Sequence, residues 1–450
     1  MSSTSPSKHA YILRSTAWLA RFTAIVCILF SANAWADDSR PVDVLVYGGT
    51  PAGIAAATAA AKDGLSVVLA EPTGRLGGLV TNGLSHSDFH SRESLSGAFL
   101  DFARRVDAFY AQTYGADSPQ RKQSEGGVFA EPKVNLQVIR TMLSELSNIR
   151  VLTNHNLLSV QMLAAQEDEN VDRRRVGSIT LAGQTGEKLE VACRFVIDAS
   201  YEGDLMAMAG VPWRAGREGR AEYGESLAPE KADEQLQAYN FRFVMTKDSQ
   251  NRVTPIAPPG YRREDFIDVL KALASGEIKE VFGYPSKCVF KAQLPALPNG
   301  KYDINDVSRN LLRLSLPGKN LGWPNGDRAA RQAIFAEHMR DQVGLLFFLQ
   351  NDPEVPDRFR QEAQNWGWCR DEFEETQHLP DQLYVREARR MLGMHVYTQS
   401  DSEHAPGDAR ALLHMDAIAM GDYGNNCHGT FHEGPRFGGK HTGEFYNPVP

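Results

Sequence analysis

Asp43-Val44-Leu45-Val46-Tyr47 leads into Gly48-Gly49-Thr50-Pro51-Ala52-Gly53, then Ile54-Ala55-Ala56-Ala57-Thr58-Ala59-Ala60-Ala61, and Ser66-Val67-Val68-Leu69-Ala70 ends at Glu71. The first run has the length and apolarity of a buried strand. The alanine-rich run has the strongest intrinsic preference for helix, and Gly64 is placed to stop it. A second short apolar run follows, so the stretch reads as strand, turn, helix, strand. Each part of the turn has a physical task. Gly48 allows a sharp reversal, and small residues let the backbone approach a pyrophosphate. Gly53 allows helix and strand to pack closely, and the helix N-terminus offers amides to phosphate oxygens. Glu71, 18 residues beyond Gly53, stands where a carboxylate accepts hydrogen bonds from ribose hydroxyls. Thr50 occupies the position usually held by a second glycine. The complete unit predicts a nucleotide cradle more strongly than its glycines alone.

Gly74-Arg75-Leu76-Gly77-Gly78-Leu79 follows Glu71 directly, in place of another simple βα repeat. It resembles the glycine-rich second loop of flavoproteins of the glutathione reductase and succinate dehydrogenase types, which runs past the FAD pyrophosphate toward the flavin. A glycine pair suits that path because it removes side chains where backbone and ligand touch. No cysteine lies between Glu71 and His155, so paired redox thiols are absent there. Electrons are then expected to pass directly between flavin and substrate. Arg194 to Leu205 is similar to the strand on which such chains re-enter the FAD domain, with Ser200 and Tyr201 in place of its threonine and glycine. Between these blocks, Val134 to Leu146 reads as a helix and Ile149 to Thr153 as a strand beside the adenine. Val176 to Val191 reads as a β-meander.

Taken with GRLGGLVTNGLSHSD at 74–88, VIDASYEGDL at 196–205, REARR at 386–390 and GDYGNNCHG at 421–429, the chain resembles an FAD-dependent oxidoreductase family common among exported bacterial proteins. The likeness runs from about Val42 to the C-terminus. It implies an α/β fold: a Rossmann-like FAD-binding domain with a β-meander, expected over residues 37–215, and an inserted mixed α+β substrate or cap region over 216–450. It also implies that Gly48, Gly49, Thr50, Pro51, Ala52, Gly53, Glu71, Arg75, Gly77, Gly78, Val151, Ala199, Ser200 and Asp204 line the FAD. Such chains return near their C-terminus with a last FAD-domain strand and helix. No such segment follows His428, and the expectation is a truncated or shortened chain.

Composition bounds the rest. The 450 residues are 42% hydrophobic and 23% charged, with a formal net charge of −8, an ordinary globular mix. Lys8, Arg14 and Arg21 precede the apolar run Phe22 to Phe30, and Ala34-Trp35-Ala36 follows. This pattern predicts an export signal over residues 1–36, cleaved after Ala36. The run is too short to span a bilayer, which takes ~20 residues. The mature chain is more acidic still and has no Lys/Arg cluster, which argues against nucleic acid as a partner. Cys193, Cys288, Cys369 and Cys427 form no CxxC. They allow one or two disulfides or isolated buried thiols.

Three clusters are candidates for chemistry. His86 and Asp88 follow the glycine pair closely enough to approach the flavin ring. A histidine there can stabilise negative charge or move a proton, or it can be an ordinary loop histidine bonded to backbone. Arg386 and Arg390 share a face if the block is helical. They then form either a two-fork clamp for a carboxylate or a flavin carbonyl, or a solvated charged face. Tyr423 and His428 lie in a glycine-rich loop and can donate protons. Cys427, His428 and His432 lack a recognisable fourth ligand, so no metal is expected. Residues 326–350 read as a long helix whose end, Gly344 to Leu349, is apolar all round and belongs to the core. The leading expectation is an exported enzyme exchanging a hydride between FAD and a small organic or carbohydrate-like substrate. An NAD-dependent dehydrogenase and a non-catalytic binding protein that kept the fold are the alternatives.

Overall fold

The structure, a computed structural model, describes residues 41–164, 174–307, 311–417, 419–443 and 445–447. The expected leader, 1–36, lies outside the described residues. The decisive stretch folds as read. Strand β1 (Val42–Tyr47) runs into helix α1 (Pro51–Lys62), and β2 (Val67–Ala70) returns parallel to β1. Alternation along β1 sorts its side chains onto two faces. Val44 and Val46 pack with Ile54, Ala57 and Ala61 of α1, whereas Leu45 and Tyr47 face Ile179, Leu181 and Leu205.

Helix α2 (Gly97–Tyr114), short α3 (Pro119–Gln123) and α4 (Pro132–Ser144) follow. Helix α4 buries Leu136, Ile139 and Leu143 on the α1 face of the sheet. Strand β3 (Ile149–Leu152) then adds parallel to β2. Strands β4 (Asn156–Leu163), β5 (Arg175–Ala182) and β6 (Lys188–Asp198) form an antiparallel meander. The meander and the re-entry strand expected at 196 are one element. Residues 188–192 of β6 pair with β5, and the rest of the strand runs parallel to β1 from Cys193 to Asp198. The sheet order is β3-β2-β1-β6-β5-β4. The fold is therefore α/β, with a parallel, Rossmann-like core and an attached meander.

Short α5 (Asp204–Met208), β7 (Trp213–Arg214) and α6 (Arg220–Tyr223) lead into a second sheet. Its strands are β8 (Phe243–Thr246), β9 (Arg252–Val253), β10 (Glu280–Gly283), β11 (Cys288–Ala292), β12 (Lys301–Asn305) and β13 (Gly367–Cys369). They lie in the order β10-β11-β12-β8-β13-β9. Helices α7 (Asp268–Ala274), α8 (Arg328–Asn351) and α9 (Asp357–Gln364) complete this region. Asp327 caps α8 by accepting from the Ala330 amide at 2.9 Å, the usual role of an N-cap aspartate. Leu345, Leu346, Phe348 and Leu349 of α8 are buried with Phe243 and Met245 of β8 in the largest apolar cluster, as the composition of that segment implies. Val244, on the other face of β8, packs with Leu297, Cys369 and Phe373.

Residues 386–389 are not helical. Strand β14 (Arg390–Met391) pairs antiparallel with β7, so Arg386 and Arg390 do not share a helix face and the expected two-fork clamp is not formed. Strands β15 (Asn425–Cys427), β16 (Phe431–Glu433), β17 (Lys440–Thr442) and β18 (Phe445–Asn447) make two small ribbons, β15 with β18 and β16 with β17. Cys193, Cys288, Cys369 and Cys427 are buried on four different strands, and no disulfide joins described residues. Among the described residues no helix is long and apolar enough to cross a membrane.

Candidate active site

The chain leaves β1 through Gly48, whose φ of +104° is a backbone conformation open to glycine. A Cβ there would lie 2.6 Å from the carbonyl carbon of Ala199. One on Gly53 would lie 1.9 Å from the Gly48 carbonyl oxygen. Both glycines are therefore demanded by backbone packed on backbone. Thr50, in the second glycine position, is the N-cap of α1. Its hydroxyl accepts from the Gly53 amide at 3.2 Å and donates to the Ala199 carbonyl at 2.8 Å. Pro51 occupies the first helical turn, where its missing N–H costs nothing. Pro51 and Ala52 are exposed at the helix N-terminus, which is oriented to hold an anion.

Glu71 at the end of β2 is buried. One carboxylate oxygen accepts from the Gly49 amide at 2.7 Å, the other from the Thr73 amide and hydroxyl, both at 2.8 Å. Burial pushes its pKa up while these bonds pull it down. The glycine-pair loop docks on the turn through the Gly77 amide, which donates to the Gly49 carbonyl at 2.7 Å. Tyr201 pins the same loop from the far side, its hydroxyl accepting from the Leu79 amide at 3.0 Å. Burial raises the Tyr201 phenol to about 12. A side chain at Gly78 would meet that hydroxyl at 2.3 Å. Tyr201 reads in the sequence only as a mismatch to a glycine; its function as a prop for the loop is visible in three dimensions.

The other residues expected along the cofactor fall into two groups. Ala199 touches the turn through its carbonyl, and Ser200 bonds to Asp198 at 2.6 Å. Val151 lies on β3 with its side chain partly exposed. Arg75 is buried, donating to the Thr81 carbonyl at 2.8 Å and pairing with Glu375, and it lies over the Phe373 ring. Asp204 is gripped by Arg331 and Arg389, each at 2.5 Å. Arg75 and Asp204 are thus committed to protein partners.

Beyond the loop, His86 stacks on Phe129 with centroids 4.1 Å apart, and its Nε2 lies 2.8 Å from the Pro295 carbonyl. The carbonyl only accepts, so that nitrogen carries the proton. Burial lowers the His86 pKa, against the pull of Asp303, and raises that of Asp88, against the pull of Arg242. The amides of Ser85 and His86 both donate to Asp303 Oδ2, at 2.9 and 3.1 Å. Asp303 in turn takes a two-pronged contact from Arg242, at 2.8 and 2.6 Å. Both members of this pair are fully buried, and sequence reading missed them. Their signal was a charge within the apolar runs Phe241-Arg242-Phe243 and Asp303-Ile304.

Arg386 donates to the Ala238 carbonyl at 2.9 Å and to Asn240, whereas Arg390 turns to the Gly216 carbonyl and Glu218. His428 is largely buried, 3.6 Å from Asp306. Burial, Arg386 and Arg313 hold its pKa down to about 4, so it is neutral at neutral pH. Tyr423 is half-exposed. The neighbouring Asp422 accepts from the His90 amide at 2.8 Å, tying this loop to the segment after Asp88. Among the described residues no group of three or more His, Cys, Asp or Glu is placed to hold a metal ion.

A parallel βαβ unit with a glycine turn, a helix N-terminus, a terminal acid and a docked glycine-pair loop defines a dinucleotide-binding protein of the flavoprotein type. The sequence profile described as FAD dependent oxidoreductase matches residues 43–450, and the chain belongs to that family, whose cofactor is FAD. No curated protein matches the sequence. Similar solved structures include L-proline dehydrogenase from P. horikoshii (19% identity, 35% of this chain and 22% of that one, TM-score 0.20). Others are the p-nitrophenol 4-monooxygenase PnpA from Pseudomonas putida DLL-E4 (14%, 67% and 62%, 0.27) and the bacillithiol disulfide reductase Bdr from Bacillus cereus (17%, 41% and 45%, 0.23). The chain spans less than two thirds of each of these proteins.

The residues present fit FAD. Gly48 and Gly53 leave no room for a side chain between strand, turn and helix, and Glu71 offers a buried carboxylate beside the turn. The α1 N-terminus faces outward at Pro51 and Ala52.

Proposed function

We propose that the protein is an exported enzyme in which FAD exchanges a hydride with a small organic substrate. The observation that carries this reading is the docking of the Gly77–Gly78 loop on the Gly48–Gly53 turn, which suits a cofactor longer than a mononucleotide. Residues 37–215 form the FAD-binding domain and 216–450 the substrate or cap region. Gly48, Gly49, Thr50, Pro51, Ala52 and Gly53 admit the pyrophosphate, with α1 supplying the positive end of its dipole. Glu71 accepts the ribose hydroxyls. Arg75, Gly77, Gly78, Val151, Ala199, Ser200 and Asp204 shape the rest of the groove, Arg75 and Asp204 by holding its walls.

FAD when bound supplies the two-electron redox chemistry. The protein's task is orientation and proton handling. His86 presents a fixed tautomer, held by Pro295 and Phe129, and Asp88 lies next to it in the charge field of Arg242. His428, neutral and with Nδ1 turned to the Asp306 carboxylate, accepts a proton at Nε2, with Tyr423 as a donor nearer solvent and Arg386 and Arg390 fixing the surrounding loops.

The test is anaerobic reduction of the purified, FAD-bearing protein by panels of small alcohols, amines and organic acids. The expected outcome is bleaching of the flavin band near ~450 nm by at least one donor, slowed several-fold when its transferred hydrogen is deuterium. A flavin bleached only by one-electron donors contradicts hydride exchange.

A further inference from the structure

Residues 371–378, just after β13, follow a strained path. Phe373, Gln377 and His378 take φ of +51°, +58° and +68°, a left-handed conformation that is unfavourable for any side chain and most so for a bulky one. The His378 amide donates to the Phe373 carbonyl at 2.8 Å, and its ring Nδ1 lies 3.1 Å from the Glu372 carbonyl. The start of this strap is anchored on the second sheet. Lys301 of β12, fully buried, lies 2.9 Å from Asp371 Oδ2 and 2.7 Å from Glu372 Oε1. It also lies 2.7 Å from Glu131 Oε1, at the N-cap of α4. The Lys133 amide, in the first turn of α4, donates to Glu372 Oε2 at 3.0 Å, and Lys133 Nζ pairs with Asp371.

The middle of the strap grips the glycine-pair loop. The Phe373 ring lies 4.8 Å from the Arg75 guanidinium carbon, and Glu375 pairs with Arg75 Nη1. Arg75 in turn closes the loop on itself, because its Nε donates to the Thr81 carbonyl at 2.8 Å. Inside that closure the Thr81 hydroxyl donates to the Leu76 carbonyl at 2.6 Å, and the Asn82 amide group donates to the Gly78 carbonyl at 3.0 Å. These bonds fix the left-handed turn at Gly77 and Gly78, with φ of +99° and +52°. A guanidinium suits the task, since one plane of donors can hold the loop with one nitrogen and the strap with another. Its face is free to lie on an aromatic ring at the same time. Glu71 does not depend on the strap: the Gly49 and Thr73 amides hold its carboxylate.

We propose that residues 371–378 latch the glycine-pair loop into the shape that receives FAD, with Phe373 and Glu375 as positioning residues that act through Arg75. The proposal rests on the reading that FAD lies along that loop. One short segment then sets the cofactor loop against the second sheet, through Arg75 on one side and Lys301 on the other. The strain at Phe373, Gln377 and His378 belongs to this task, since such conformations persist where surrounding contacts over-determine them. The Glu375 side chain is 61% exposed and that of Arg75 only 6%, so a change at Glu375 reaches the loop without opening the core.

The full chain, freed of flavin, is titrated with FAD and separately with ADP, and the urea midpoint of each flavin-free variant is recorded. Glu375→Gln is expected to weaken FAD tenfold or more and to alter the visible circular dichroism of the bound flavin. ADP, which needs the Gly48–Glu71 cradle but not the loop, is expected to bind the variant within threefold of the unsubstituted chain, with the urea midpoint unmoved. Glu375→Asp, which keeps the charge, is expected to restore most of the FAD affinity. Phe373→Leu, which keeps apolar bulk but removes the ring face, carries the same test should Glu375→Gln fail to fold. Unchanged FAD affinity, FAD and ADP weakened alike, or a loss of FAD that merely tracks a lowered midpoint would each overturn the latch. An unsubstituted chain that takes up no FAD overturns the cofactor reading and the latch together.

Discussion

Thr50 stands in a glycine position and keeps the turn by other means. Its hydroxyl takes the Gly53 amide and binds the Ala199 carbonyl, so one side chain caps α1 and ties it to the end of β6. Thr50→Ala removes both contacts, and we expect it to cost about 1–2 kcal/mol of stability in urea unfolding while FAD stays bound. A loss of FAD with unchanged stability would show that the hydroxyl touches the cofactor instead. Gly48 and Gly53 were readable from spacing because a backbone that must approach backbone leaves only glycine. Tyr201 was not, because its function depends on Leu79, a residue distant in the chain. The same holds for Asp306, whose partner His428 is far along the chain.

Elements with local causes were legible: β1, α1, β2, α4 and α8 all follow from apolar period, capping and composition. The charge spacing of the block around Arg386 fits a helix face, but spacing alone does not make it a helix. In the fold it runs in extended form, held by Tyr384 against Asn240 and by Arg390 against Arg214. The long β6 reads in the sequence as two pieces because its halves pair with different partners, β5 and β1. The β8–β12 pairing sets Asp303 opposite Val244, within reach of the Arg242 guanidinium two residues before it, and Asp303 then fixes the Ser85–His86 segment. Asp303→Ala leaves a fully buried guanidinium unpaired. We expect a loss of about 3–5 kcal/mol, read as a lower urea midpoint. A change under about 1 kcal/mol would mean that the pair is not buried in solution.

Across the whole molecule, partly buried acids set a pH dependence. Burial pushes Glu202 up to about 7, although Arg331 pulls it down and the Trp323 indole donates to it at 3.1 Å. The folded state therefore holds this proton more tightly than the unfolded chain. Its contribution to stability is present at low pH and is lost as pH rises from the ordinary carboxyl range through about 7. Glu202→Gln is expected to flatten that part of the pH–stability curve, and an unchanged slope would assign it to other groups. The fold class and the cradle were legible because one continuous stretch encodes them. The proposed substrate side was not, because it would draw on residues as far apart in the chain as His86 and His428. The cradle at the head of the chain is the part that holds FAD. The most direct measurement is the visible spectrum of the purified protein, incubated with FAD and desalted. We predict a flavin band near ~450 nm, close to one FAD per chain, released on denaturation and lost in Gly53→Val. A colourless protein, or full FAD retention by the Gly53→Val variant, would contradict the account.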